Sequence, residues 1–109
     1  MTVNEMSTAL ALTPVAVVDG EREFSGVYIG DLLSWVMGRA SSGDVWITIM
    51  SNINIVAVAS LVDVACIVLA EGVTLDESVR NTAEQKGVNI FTSEKTAYEL
   101  AASLAGLQK

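Results

Sequence analysis

The chain has 109 residues, half of them hydrophobic (51%) and only 17% charged, so it has the length and apolar content of one globular domain covering residues 1–109. A net charge of −7 with only six Lys and Arg residues argues against nucleic acid and against an anionic membrane surface as partners. There is no histidine, and the single cysteine, Cys66, has no internal partner for a disulfide, which fits a cytosolic protein.

In chain order, Thr2-Val3-Asn4-Glu5 reads as a capping box opening a helix to about Leu12, with Val3, Met6 and Leu10 on one face. Pro14 ends it, and Val15–Val18 follows as a short strand. Asp19-Gly20 is a turn signal, a candidate two-residue hairpin leading into a strand over Glu23–Ile29. Gly30-Asp31 starts a second helix, with Asp31 as N-cap and Leu32, Leu33, Val36 and Met37 as its buried stripe. Trp35 then points outward, an interface candidate as much as a ring lying flat on its own surface.

A polar loop, Arg39–Gly43, leads to the most informative stretch, Asp44 to Gly72. Val45–Met50 and Ala65–Leu69 read as buried strands rich in β-branched residues. Between them, Ser51-Asn52 offers N-caps for a helix over Ile53–Val62, long enough for the crossover that joins parallel strands. Apolar residues lie on almost every side of this helix, predicting burial on several sides, even against a second subunit. The interruptions Ser51, Asn52, Asn54, Ser60 and Asp63 exclude a membrane span here.

Thr74-x-x-Glu77 is a second capping box, for a surface helix from Leu75 to Lys86 that stops at Gly87. Val88–Phe91 is a last strand, and Ser93 caps a final helix bearing Ala97, Leu100, Ala101 and Leu104 on one face. The pattern predicts an α/β layered domain with a mostly parallel central sheet of about five strands flanked by helices.

The segment from GVYIGDLL to VLAEG, continued by KGVNIFTSEKTAYELA, resembles the DRTGG domain over roughly Arg22 to Leu104. That family is similar to the N-terminal domain of HPr kinase/phosphorylase, which lacks the kinase's catalytic part. The naming motif is degraded: Glu21-Arg22 stands for Asp-Arg, and Ser25-Gly26-Val27 for Thr-Gly-Gly. The resemblance implies regulation or ligand sensing, with no definite chemistry.

The residues agree in excluding most catalysis. The chain has no Gly-x-x-x-x-Gly-Lys-Ser/Thr, and Gly26, Gly30 and Gly38 are not spaced as a dinucleotide fingerprint. One cysteine without a base is no nucleophile signature, and Cys66, inside a buried strand, is expected to be inert. No enzyme activity, cofactor or metal site is expected.

Parallel sheets gather ligands at the carboxyl ends of their strands. The ligand-binding candidates are therefore Ser51, Asn52, Asn54, Glu71, Gly72, Thr92 and Ser93, with Ser25, Gly26 and Asp31 added from the family motif. The two functional expectations are a regulatory module binding a small anionic or nucleotide-like ligand, and a structural domain that self-associates, as a homodimer, or docks a partner.

Overall fold

The computed structural model describes residues 1–107. A five-stranded sheet runs in the order β1-β5-β4-β3-β2. Its strands are β1 (Thr13–Ala16), β2 (Gly26–Ile29), β3 (Asp44–Thr48), β4 (Cys66–Leu69) and β5 (Ile90–Thr92). β2, β3, β4 and β5 pair in parallel, and β1 joins the far edge antiparallel to β5. The helices are α1 (Val3–Ala9), α2 (Leu33–Arg39), α3 (Asn54–Val62), α4 (Glu77–Lys86) and α5 (Ala97–Leu107). Among the described residues no helix is long and apolar enough to cross a membrane.

Side chains alternate across the pleat, so each central strand feeds two cores. Trp46, Ile67, Leu69 and Ile90 face α2, α3 and α4, where they meet Val36, Ile55, Ala59 and Val79. Val45, Ile47, Cys66, Val68 and Phe91 face the other side and pack on Val3, Met6, Leu100 and Leu104 of α1 and α5. The result is a three-layer sandwich with helices on both faces. Trp46 is fully buried, and its indole N–H donates to the Gly30 carbonyl at 3.0 Å, so no polar atom of that ring is stranded.

Several boundaries differ from expectation. The first capping box forms, but α1 ends at Ala9 because Ala11 turns left-handed at φ 54°, well before Pro14. The first strand begins at Thr13 and contains Pro14, which an edge position tolerates. β1 and β2 make no hairpin; they lie on opposite edges of the sheet, and only a bridge from Thr2 to Glu23 pairs the start of the expected Glu23–Ile29 strand. β3 ends at Thr48, leaving Ile49 and Met50 in the loop.

α3 is not buried all round. Ile55, Val56, Val58 and Ala59 face the core, while Asn54, Ala57, Ser60 and Leu61 face out. Ala57 and Ser60 are small enough to be left outside at little cost, so an apolar sequence here still makes a one-sided helix. The stripe of α2 is also narrower than expected: Val36 is buried, Leu33 packs against the core, and Leu32 and Met37 are exposed.

Two caps shift. Thr74 does not cap α4; Asp76 holds that position without a side-chain bond, and Leu75 turns into the core instead. α5 is capped by Thr96 rather than Ser93, with Glu99 N–H donating to Thr96 Oγ1 and Thr96 N–H to Glu99 Oε1. Gly87 ends α4 as expected, at φ 73°.

Candidate functional site

The parallel strands define two ends of the sheet. At the carboxyl end lie the segments after β2, β3, β4 and β5, together with the start of antiparallel β1. There, Thr13, Val15, Gly72, Thr74, Leu75 and Glu94 are among the residues that line a cleft of about 220 Å³, with Val73, Thr92 and Ser93 completing its wall. Of the expected ligand candidates, Gly72, Thr92 and Ser93 belong to this cleft.

Backbone bonds shape it. Gly72 N–H donates to the Ser93 carbonyl at 2.9 Å, and Glu71 N–H to the Lys95 carbonyl at 2.8 Å, which clamps the turn after β4 against the turn after β5. Gly72 sits at φ 72°, and a Cβ there would lie 2.6 Å from a Glu94 carboxylate oxygen. The left-handed backbone favours glycine, and the missing Cβ leaves room for the Glu94 carboxylate. Glu71 flanks this turn, exposed and also left-handed at φ 61°.

The cleft is lined by hydroxyls and short aliphatic chains, with Glu94 its one charged residue among the described residues. Such a lining offers hydrogen bonds and apolar contact to an uncharged group, and repels a bare anion.

The remaining candidates lie elsewhere. Ser51, Asn52 and Asn54 share the carboxyl end, beyond β3, outside the cleft lining. Asn52 Oδ1 accepts from Asn54 N–H at 2.9 Å, while Ile55 and Val56 N–H donate to the Asn52 and Ile53 carbonyls. The donors of residues 54–56 are thus already used, which weakens this helix start as an anion site. Asp31 is no N-cap; that position belongs to Leu32. Its carboxylate instead accepts from Thr48 Oγ1 at 2.7 Å and Ile49 N–H at 3.0 Å, tying β2 to β3 at the carboxyl end.

Ser25 and Gly26 do not join this end. Gly26 pairs with Asp44 at the opposite, amino end, because both open their strands. A Cβ on Gly26 would lie 2.6 Å from Asp44 Oδ1, so here too the glycine makes room for a carboxylate. Ser25 lines a separate cavity of about 270 Å³ with Met1, Phe24 and Leu107.

Arg22 also belongs to the amino end. Its guanidinium donates to both Asp63 carboxylate oxygens, at 2.8 and 3.0 Å, and to the Asp63 carbonyl at 2.9 Å. Ser42 Oγ adds a 2.6 Å bond to the same carboxylate. These donors hold the Asp63 carboxyl below its ordinary range, the Arg22 hydrogen bonds foremost, and the same pair raises Arg22. Asp63 is left-handed at φ 68°, the cap of α3, so this fork fixes the turn into β4.

Asn89 is the second amino-end tie. Buried just before β5, its side chain accepts from Val18 and Asp19 N–H and donates to the Asp19 and Ala65 carbonyls, at 2.8–3.0 Å. Sequence reading passed over it. A lone Asn opening a buried strand is the signal that pointed to it, since a polar group there needs partners.

Cys66 lies within the core beneath α1 and α5, and burial pushes its thiol up to about 12. Trp35 is 51% exposed, with the Arg39 guanidinium stacked 3.7 Å from its ring centroid.

The fold and its open rim define a small three-layer α/β domain. The chain belongs to the DRTGG domain family, whose sequence profile matches residues 26–107. The match begins at Gly26, so Glu21, Arg22 and Ser25 lie ahead of it. Among curated proteins nothing matches by sequence. Among solved structures, the chain superposes on the CBS and DRTGG domains of the regulatory region of Clostridium perfringens pyrophosphatase, determined with the activator diadenosine tetraphosphate. The TM-score is 0.74 at 13% identity, over 94% of this chain and 45% of that one. These matches do not bear on the resemblance to the N-terminal domain of HPr kinase/phosphorylase.

Proposed function

We propose that this chain is a non-catalytic regulatory module that senses a nucleotide-like ligand at the carboxyl end of its sheet. The observation that carries the reading is the cleft between the turns after β4 and β5, found in a family member whose structural neighbour is a nucleotide-regulated region. At about 220 Å³ the cleft is below the roughly 300–1,000 Å³ typical of a site that engulfs a whole ligand. It suits one base or ribose, with phosphates left outside in solvent, away from Glu94.

A thermal-shift series with adenosine, AMP, ATP and diadenosine tetraphosphate tests this. A ligand at a hundred times its Kd adds about 2.7 kcal/mol of stability. Adenosine is expected to stabilise the chain at least as well as metal-free ATP, because Glu94, the one charge among the described cleft residues, is negative. Thr74→Trp, an exposed change that fills the cleft, is expected to abolish the shift while leaving the unliganded melting temperature in place. No shift from any of the four compounds would sink the reading.

A second reading, self-association, is favoured by a different observation. Ile29, Leu32, Trp35, Ile49 and Ile53 are all exposed near the ends of β2 and β3, an apolar concentration that small monomeric domains seldom leave open. Light scattering at micromolar concentration is expected to show a dimer.

A further inference from the structure

We infer that α2 is the surface on which two copies of this chain pair, antiparallel, across a two-fold axis passing at Trp35. The inference rests on the self-association reading and supplies its register.

α2 touches α3, and α3 touches α4, so α2 ends the row of helices on its face of the sheet. It also lies over the β2 edge, where no further strand follows. At about 100° per residue, Trp35, Gly38 and Arg39 fall within roughly 100° of arc, turned away from the core-facing Leu33 and Val36. Leu32, the extended residue just before the helix, is 55% exposed.

The pattern of this flank is complementary to itself. In an antiparallel two-fold pair, residues equally far before and after the axis face one another. With the axis at Trp35, Asp31 and Leu32, which lead into α2, come beside Arg39 and Gly38 at the end of the other copy's helix. Among the described residues Arg39 has no carboxylate at ion-pair distance, and Asp31 has no cation. Each therefore has charge left for the other. A side chain at Gly38 would meet nothing within 4 Å, so its surface is an open notch for a Leu32 side chain and for close approach of the two helices.

The two indoles meet at the axis, each already backed by its own Arg39. One short helix does not cover the roughly 800 Å² per partner of a standard interface. Ile49, whose N–H is bonded to Asp31, and Ile29 two residues before it extend the apolar surface.

The test is sedimentation velocity on the full chain at tens of micromolar, with circular dichroism as a fold control. Wild type is expected to be dimeric. Gly38→Leu and Arg39→Glu are expected to be folded monomers, the first by filling the notch and the second by facing each glutamate with Asp31. Adding Asp31→Asn to Arg39→Glu removes that repulsion and keeps the acceptor for Thr48; this double variant is expected to recover dimer. A monomeric wild type would overturn self-association altogether. A dimer that survives both Gly38→Leu and Arg39→Glu would leave self-association standing and overturn only this surface.

Discussion

The two ends of the sheet are built in opposite ways. At the amino end, polar side chains reach across long stretches of sequence: Arg22 and Ser42 to Asp63, Asn89 to Val18, Asp19 and Ala65. At the carboxyl end, Asp31 and Trp46 tie β2 to β3, but the other side-chain bonds are local, such as Asn52 to Asn54 and Ser93 to Lys95, and the surface opens into a cleft and an apolar patch. The amino end is the more heavily cross-tied of the two. A parallel sheet makes that difference natural, because its helix starts and longer turns collect at the carboxyl end.

The contrast breaks most visibly at Asn89. Asn89→Ala removes four hydrogen bonds at a buried position and leaves the Ala65 carbonyl without its side-chain partner. A loss of about 2–3 kcal/mol in urea unfolding is expected. A loss below about 1 kcal/mol would mean that the amino end is held elsewhere.

Cys66 sharpens it through pH. With the folded thiol pushed up to about 12 against an ordinary 9.0, the folded state keeps a proton that the unfolded chain has lost. Stability is then complete below pH 9 and falls as pH rises through that window, by about 1.4 kcal/mol per pH unit. Cys66→Ala is expected to flatten this alkaline slope in denaturation curves taken at pH 8–11. An unchanged slope would show that the thiol titrates normally, and rapid native labelling by a thiol reagent would say the same.

The Arg22–Asp63 fork has a smaller expected effect, since the Asp63 side chain is largely exposed and solvent screens the pair. Arg22→Ala is expected to cost about 1 kcal/mol or less at neutral pH. Because the folded Asp63 carboxyl is lowered, its contribution is present above the ordinary carboxylate range and is lost as pH falls through the folded value. A wild-type advantage over Arg22→Ala that persists at pH 2 would contradict this.

Smallest of all are the carboxyl-end substitutions. Asn52→Ala removes one exposed turn bond and is expected to cost about 0.5–1 kcal/mol. Asn54→Ala, whose exposed side chain makes no hydrogen bond, is expected to stay within about 0.5 kcal/mol of wild type.

The same contrast explains what the sequence disclosed. Its βαβ core was legible, because Val45–Ile47 and Cys66–Leu69 are apolar runs of strand length on either side of a crossover. The edges were not. β1 against β5 is a pairing across the whole chain, and nothing local to Thr13–Ala16 announces it. The capping signal Thr-x-x-Glu occurs at Thr2, Thr74 and Thr96 and forms at the first and third. At Thr74 the burial of Leu75 and the lining of the cleft hold the chain outside the helix. The rim was legible only in part: Gly72, Thr92 and Ser93 follow strands, whereas Thr13 and Val15 reach the cleft through the antiparallel edge. Trp35 was readable as outward from its helix face; its Arg39 partner, four residues on, was readable by the same spacing.

The most direct test of the proposed binding site at the carboxyl end is amide chemical-shift mapping with adenosine and diadenosine tetraphosphate. The account predicts perturbations confined to Gly72–Leu75 and Thr92–Glu94, with Ser42, Asp63 and Asn89 unmoved, and their loss in Thr74→Trp. Perturbations centred on Arg22, Ser25 or Ser42, or none at all at millimolar ligand, would contradict it.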